Sequence, residues 1–316
     1  MAQEAADAPV AVGSQADHGD VDPALGPVFA ELVELKRVRS AQLRGRSLAD
    51  TGFRRAWSSL VGGADLEDVA LTEVALAAAQ VALGPVDGAA LAEAGVAPSD
   101  RRTIYRRAAE RTIGPSVGGL ADRLDAVADG LAAPGEVPRF VELLCDQPRA
   151  GAVSEGAPRL VLTPEEMHSE HCWSVAVIAG LAEVRRGRLA GEAVLLGLAH
   201  HLPNAYLPDG GFAAERILDD HLAAMFERLT DRALADLPDE LAGHVRSVLA
   251  RRDDVDDPVG HAFNVADVVD RVLQQRHYAN LAGFSLSDAM DARELVHPGP
   301  LQGFQYGVLQ RLGLTF

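Results

Sequence analysis

Apolar residues recur at three- and four-residue spacing along most of this chain, and this periodicity constrains the fold more than any other feature. Segments such as FAELVELKRVRSAQL, LEDVALTEVALAAAQVAL and GEAVLLGLAHHL carry the spacing, and each predicts an α-helix. No segment shows the convincing alternation of apolar and polar residues that indicates a half-buried strand. The sequence therefore predicts an all-α fold.

Breaks in the helical pattern divide the chain into three parts. Residues 1–25 are rich in Ala, Asp and Gly and have few large apolar side chains, which predicts a disordered tail. Residues 26–133 form an N-terminal helical region without recognisable chemistry, and AAPGEVP is the best linker before the second region, residues 134–316.

The stretch VALTEVALAAAQVAL in the N-terminal region is apolar around much of its circumference, and such a helix must be buried. We therefore expect this region to pack against the second region or a symmetric partner, with a homodimer as the assembly. A self-contained helical domain on the AAPGEVP linker is the alternative.

Charge and cysteine content limit which classes of partner and which cellular compartment we expect for this chain. The formal net charge is -17, so nucleic acid is not expected as a main partner, because its phosphates demand a basic surface. The basic stripe from Arg101 to Arg111 is expected to be a solvated helix face paired with acidic neighbours. Cys145 and Cys172 are too few for a disulfide framework. No signal peptide or membrane-length apolar run is found, so we expect a cytoplasmic protein with free thiols.

Two helices of the second region have clear boundary signals. TPEEMHSEHCWSVAVIAGLAEVRRG offers Thr163 as N-cap and Pro164 at the first helical position, and it ends at Gly187. GEAVLLGLAHHL must end near Pro203, because proline disfavours helical geometry in the residue before it. Two adjacent histidines are thus expected at a helix end.

Three elements of this region resemble, in order, the metal-binding elements of the HD-domain phosphohydrolases, and especially their 5′-deoxynucleotidase branch. HSEHCWSVAVIAG places His171 in the first ligand position. LLGLAHHLPNAYLPDGG places His200 in the histidine position of the His-Asp pair, with His201 where the family has aspartate. FNVADVVDRV supplies Asp267. The resemblance extends over roughly residues 138–282.

The resemblance implies an HD-domain-like helical bundle that binds one divalent transition metal through His171, His200, His201 and Asp267. Such an ion activates water and neutralises charge that develops on phosphorus. A third histidine makes the site softer than the family's, which favours Zn, Fe or Co over Mg; Mn is a further candidate ion. The segment QPRAG resembles the family's arginine-containing entry, which implies Arg149 as a contact of a small phosphorylated substrate.

The loop after the histidine pair is expected to hold the catalytic side chains. Asn204 occupies the position of the family's loop glutamate, and an amide cannot accept or release a proton near neutral pH. Asp209 matches the second loop acid of the family, although the turn sequence PDGG explains an aspartate there equally well. For Asp267, helix capping together with Asn264 is the rival interpretation.

Three functions follow as hypotheses. The first is a metal-dependent hydrolase of a nucleoside 5′-monophosphate or a similar small phosphate ester. The second is a degenerate HD domain that binds a ligand or partner without catalysis, because the family's aspartate and glutamate are both replaced. The third is a metal oxygenase with a three-histidine site.

Two further histidines, His221 and His244, lie on helical segments with apolar flanks. They are either candidate ligands of a second ion or ordinary core or surface histidines.

Overall fold

Helices and short 3-10 turns account for the regular structure of this chain. The computed structural model describes residues 21–114, 120–130, 135–151, 163–282, 296 and 299–314. Within these ranges there is no strand, and the only extended pairings are two isolated bridges, Arg39 with Ser47 and Pro148 with Met167. The predicted all-α fold is confirmed.

The N-terminal region contains six helices within its described residues. They are α1 (Leu25–Val33), α2 (Leu48–Val61), α3 (Leu66–Leu83), α4 (Gly88–Glu93), α5 (Pro98–Ile113) and α6 (Leu120–Asp129). Side-chain oxygens of Ser47, Asp65 and Asp87 accept the N–H of the third residue beyond them and so cap α2, α3 and α4.

The second region contributes the helices that surround the histidine motifs. They are α7 (Arg139–Asp146), α8 (His168–Arg185), α9 (Gly191–Ala199), α10 (Gly211–Leu218), α11 (Leu222–Leu234), α12 (Asp239–Leu249), α13 (Pro258–Ala282) and α14 (Gln302–Arg311). The predicted end of the GEAVLLGLAHHL helix before Pro203 is confirmed, since α9 ends at Ala199 and a 3-10 turn, Leu202–Ala205, follows.

Helix α8 is the centre of the molecule. It is buried along its length from His168 to Glu183, and α2, α3, α7, α9 and α13 pack around it. Gly197 of α9 approaches the α8 backbone closely, because a Cβ there would lie 2.5 Å from Cα of Ala176. This contact fixes the end of α9 against α8.

The N-terminal helices cover the second region and share its core. Gly52 of α2 lies against the Trp173 indole of α8, and Trp173 Nε1 donates a 2.8 Å hydrogen bond to Glu73 of α3. Helix α3 is buried on most sides, as its apolar circumference predicts. The expected packing between the two regions is therefore confirmed, and the self-contained domain is wrong.

Two predicted boundaries need correction. Val21 and Leu25 are buried and α1 begins at Leu25, so the predicted tail of residues 1–25 extends too far. Residues 1–20 lie outside the described residues, as do residues 132–134 of the linker. Helix α8 begins at His168 and not at Pro164.

The late start of α8 has a physical cause in a short pairing between two extended segments. Arg149 N–H donates to Glu166 O at 2.8 Å, and His168 N–H donates to Gln147 O at 3.0 Å. The backbone around Met167 is therefore held in an extended conformation and cannot join the helix.

Other expectations concern the surface and the thiols. On α5, Arg102 is paired with Asp129 and Arg106 with Asp125, as predicted. Arg101 departs from the prediction, because it is buried and donates to the backbone oxygens of Ala128 and Val96. Cys145 and Cys172 are free and buried, and burial raises the pKa of both thiols. No helix among the described residues has the length and apolarity to cross a bilayer.

Candidate metal centre

Three helices direct imidazole and carboxylate groups to one point. His171 lies in the first turn of α8, His200 directly follows α9, and Asp267 lies in the middle of α13. The Nε2 atom of His171 is 3.1 Å from Nε2 of His200 and 3.3 Å from Oδ1 of Asp267. The residues of the three sequence motifs therefore meet in space.

The Nδ1 atoms of His171 and His200 each lie beside a hydrogen-bond acceptor. His171 Nδ1 lies 2.6 Å from Oδ2 of Asp270, and His200 Nδ1 lies 2.8 Å from the carbonyl oxygen of Gly197. A carbonyl or carboxylate oxygen only accepts hydrogen bonds, so both Nδ1 atoms must carry the proton. In the neutral tautomers, both Nε2 atoms are then lone-pair acceptors.

Two lone pairs at 3.1 Å repel each other unless a positive charge lies between them. That charge is either a shared proton or a metal ion, since no donor remains on either neutral ring. Burial lowers the pKa of His200 well below its usual value, and the neighbouring His171 adds to the shift, so His200 is neutral near pH 7. The pair has the donor chemistry of two histidine ligands on one ion.

His201 is the third imidazole of the cluster. Its Nδ1 lies 2.8 Å from Oδ1 of Asn204, which accepts the hydrogen bond and leaves Nε2 available as a ligand. Burial and the charge interaction with His200 lower the pKa of His201 well below its usual value. The amide at Asn204 therefore orients a histidine.

The donor set fits a divalent transition metal. Ligand atoms of His171, His200 and His201 all lie within 4.8 Å of one another. Zn–N bonds measure about 2.0–2.1 Å, so two ligands of one ion lie at most about 4.2 Å apart. The 3.1 Å between Nε2 of His171 and Nε2 of His200 lies within this limit, and neutral imidazoles suit Zn and Fe.

Asp267 stands at the edge of this cluster. Its Oδ2 atom pairs with Arg271 at 3.2 Å. Burial alone would raise the pKa of Asp267, but Arg271 and His171 hold it well below its usual value. The rival capping role is wrong, because α13 begins at Pro258 and Asn264 lies within it, donating to backbone oxygens of Arg252 and Gly260.

His168 is a fourth histidine that sequence reasoning did not select. Its Nδ1 lies 3.0 Å from the carbonyl oxygen of Gln147, and its fully buried Nε2 has no hydrogen-bond partner. The ring packs edge-on against His201, with Nε2 3.7 Å from Oδ2 of Asp209. Burial, with the charge of Arg149, lowers the pKa of His168 to about 4. The available signal was its spacing, one helical turn before His171.

Asp209 and Arg149 line the same side of the cluster as His168. Oδ2 of Asp209 accepts the N–H of Ala150, and Oδ1 accepts that of Gly211. Burial opposes ionisation of Asp209, but these hydrogen bonds and Arg149 lower its pKa. Hydrogen bonds to nearby backbone N–H groups therefore explain part of why an aspartate stands at position 209.

Arg149 is largely buried, and its Nε lies 3.5 Å from Oε2 of Glu166. Burial disfavours its charge, but Glu166 and the nearby aspartates raise the pKa of Arg149 above its usual value. Its Nη1 is buried without a hydrogen-bond partner. A buried donor on a permanent cation is suited to an anionic oxygen.

Two charged side chains, Asp270 and Lys36, lie behind His171. Oδ2 of Asp270 accepts from both His171 Nδ1 and Lys36 Nζ, each at 2.6 Å. Burial alone would raise the pKa of Asp270, but Lys36 and His171 hold it well below its usual value. Glu166 is the second partner of Lys36, at 2.5 Å. Sequence reasoning missed Lys36 and Glu166 because they belong to no motif. Asp270 lies inside the motif FNVADVVDRV, one helical turn after Asp267, and this spacing was the available signal.

For His221 and His244, the structure supports the alternative of ordinary surface histidines over a second metal site. His221 and His244, expected on apolar helical faces, are exposed. His221 ends the 3-10 turn before α11, and His244 lies on the outer face of α12. Neither belongs to the clusters of ligand atoms found among the described residues.

The chain matches no family model, no curated protein and no solved structure. The HD-domain resemblance therefore rests on the three motifs themselves. What the fold adds is that His171, His200 and Asp267, which are dispersed in the sequence, lie side by side.

Proposed function

We propose that this chain is a metal-dependent hydrolase of a nucleoside 5′-monophosphate or a similar small phosphate ester, of the HD-domain type. The observation that carries the proposal is the 3.1 Å contact between the Nε2 atoms of His171 and His200, whose Nδ1 protons are already bound elsewhere. Such a contact needs either a shared proton or a metal ion between the two nitrogens. The third imidazole, His201, supports the metal ion, because buried neutral imidazoles bind transition metals.

The residues around the histidines support a phosphate ester as substrate. Arg149 offers a buried, unpartnered Nη1 beside the cluster, and Arg271 binds the outer oxygen of Asp267. Guanidinium groups recognise phosphate through charge-assisted hydrogen bonds. In this proposal Arg149 binds a phosphate oxygen of the substrate.

Each side chain has a defined task in the proposed reaction. His171, His200 and His201 would hold the ion, which supplies an activated water and neutralises charge on phosphorus. Asp267, whose Oδ1 lies 3.3 Å from Nε2 of His171, would be the carboxylate ligand, and Asn204 fixes the ring of His201 through its Nδ1 proton. His168 and Asp209 offer acceptors to the hydrogens of a water or substrate beside Arg149.

Metal content tests the first half of the proposal. Protein purified without chelator is expected to carry one transition metal per chain, and His171→Ala is expected to lose it. His244→Ala is the matched control, since it removes an exposed imidazole outside the cluster. A folded wild-type protein that binds no Zn, Co, Mn or Fe would exclude the metal centre.

Phosphate release tests the second half. Nucleoside 5′-monophosphates are offered to protein loaded with each metal in turn, and Arg149→Met is expected to raise KM.

A second candidate, a metal-binding domain without hydrolysis, is favoured by one observation: Asn204 stands where the family carries a proton-transferring glutamate. Metal binding without phosphate release from any nucleotide would select that second function.

A further inference from the structure

Lys36 is the only lysine of the chain, and it is buried at the back of the histidine cluster. It lies in a 3-10 turn, Glu34–Lys36, that directly follows α1. Its side chain is 3% exposed, and its partner Asp270 is fully buried. A buried ammonium is costly unless it is fully paired, so this position of a lysine requires a specific role.

The contacts of Lys36 form a continuous chain to the candidate ligand. Lys36 Nζ donates to Oδ2 of Asp270 at 2.6 Å, and the same oxygen accepts from His171 Nδ1 at 2.6 Å. Nε2 of His171 then faces His200. Carboxylates that accept the second N–H of a ligating histidine fix its tautomer, orient its ring and raise its basicity as a ligand.

A second branch leads from Lys36 to the phosphate side. Lys36 Nζ lies 2.5 Å from Oε1 of Glu166, and the other oxygen of Glu166 lies 3.5 Å from Arg149 Nε. Ligand atoms of Glu166, Asp270 and His171 converge as a cation site would, and the ammonium of Lys36 already supplies the positive charge there.

We propose that Lys36 is a positioning residue of the metal centre, supplied by the N-terminal region: it holds Asp270, which holds His171 as a ligand. The inference rests on the proposed metal binding. It extends that function because the N-terminal region then forms part of the site and does more than cover the core.

Zn affinity, measured by competition with a chromophoric chelator, tests the role without recourse to activity. Lys36→Met is expected to weaken Zn binding by about 10–100-fold, the usual effect of losing an outer-shell partner of a metal ligand. Arg37→Met is the matched control. It removes the neighbouring cation, whose guanidinium binds Gln274 on the same helix α13 but makes no hydrogen bond to Asp270.

A double-mutant cycle separates positioning from general stability. If Lys36 acts through Asp270, Lys36→Met has little further effect on Zn affinity in an Asp270→Asn background. An equal loss in both backgrounds, or unchanged affinity in folded Lys36→Met, overturns the inference. If Lys36→Met does not fold, the double variant Lys36→Met/Glu166→Gln, which removes one charge of each sign, is compared with Glu166→Gln. The double variant is then expected to bind Zn about 10–100-fold more weakly than Glu166→Gln. Equal Zn affinity of the two variants overturns the inference.

The two proposals fail in different ways. Wild-type protein without Zn binding refutes the metal centre itself. Wild-type protein that binds Zn as tightly as folded Lys36→Met refutes only the role of Lys36.

Discussion

At the residue scale, the cluster is defined by where each imidazole places its single proton. In His168, His171, His200 and His201, Nδ1 faces an acceptor, which leaves Nε2 as the free nitrogen. Four acceptors of different kinds produce the same tautomer: two backbone carbonyls, one carboxylate and one amide oxygen. His171, His200 and His201 therefore present the same nitrogen, Nε2, to the proposed metal ion.

The pKa of His168 predicts an acid-sensitive stability for the metal-free protein. Its folded pKa of about 4 lies below the ordinary 6.5, so between these values the unfolded chain binds more protons than the folded one. The free energy of unfolding therefore falls as the pH drops through this window, by about 1.4 kcal/mol per pH unit for one such group.

Denaturant titrations across the same window measure the effect. His168→Gln is expected to make the pH dependence shallower, although His200 and His201 preserve part of it. His244→Gln, an exposed substitution, should leave the slope unchanged. If the free energy of unfolding depends equally on pH in His168→Gln and in the wild type, His168 is not a source of the acid sensitivity.

His201→Asp is expected to increase any phosphohydrolase activity measured with Mg or Mn, by about tenfold, which is about 1.4 kcal/mol of barrier. The reason is that a carboxylate restores a hard anionic ligand in place of an imidazole. Phosphate release from a nucleoside 5′-monophosphate is the measurement. His201→Asn is the neutral control of the same shape, and if it equals His201→Asp with every metal, a simple ligand replacement is excluded.

At the element scale, the site depends on how closely α9 approaches α8. Gly197 permits that approach, because any Cβ there would overlap the backbone of Ala176. The next residues in the chain after this contact include His200 and His201, so the geometry of the helix pair sets the position of both imidazoles. Nothing in this contact involves a ligand side chain.

Gly197→Ala is therefore expected to weaken Zn binding and to lower the free energy of unfolding by about 1–3 kcal/mol through overpacking. Gly243→Ala in α12 is the matched control, since a Cβ there meets nothing within 4 Å. That control should be neutral or stabilising by up to about 1 kcal/mol. Equal Zn affinity in folded Gly197→Ala and Gly243→Ala would show that the crossing does not control the site.

At the scale of the whole molecule, the N-terminal region is part of one folded unit with the second region. Glu73 accepts from Trp173, Asp50 accepts from Ser169 at 3.0 Å, and Lys36 binds Asp270. Each of these contacts joins the two regions through buried polar groups, which are costly to leave unpaired.

A fragment of residues 134–316 is accordingly expected to aggregate or to lose most of its stability, because α8 would expose Trp173 and its other apolar contacts to water. Size-exclusion chromatography and thermal unfolding of the fragment beside the full chain make the comparison. A monomeric fragment with unchanged melting temperature and Zn content would contradict this expectation. The homodimer stays a prediction, which light scattering on the full chain tests.

The sequence by itself determined the all-α class, the end of α9 before Pro203 and the burial of α3, because helical periodicity and proline geometry are local properties. It also pointed to His171, His200, His201 and Asp267 through the order of their motifs. Only the tertiary structure decided the start of α8, where pairing between residues near Gln147 and Met167 overrides the local signals of Thr163 and Pro164. It likewise decided the roles of His168, Asp270 and Lys36, because Lys36 and Asp270 lie 234 positions apart, and no local pattern specifies which distant charges will neutralise each other in a core.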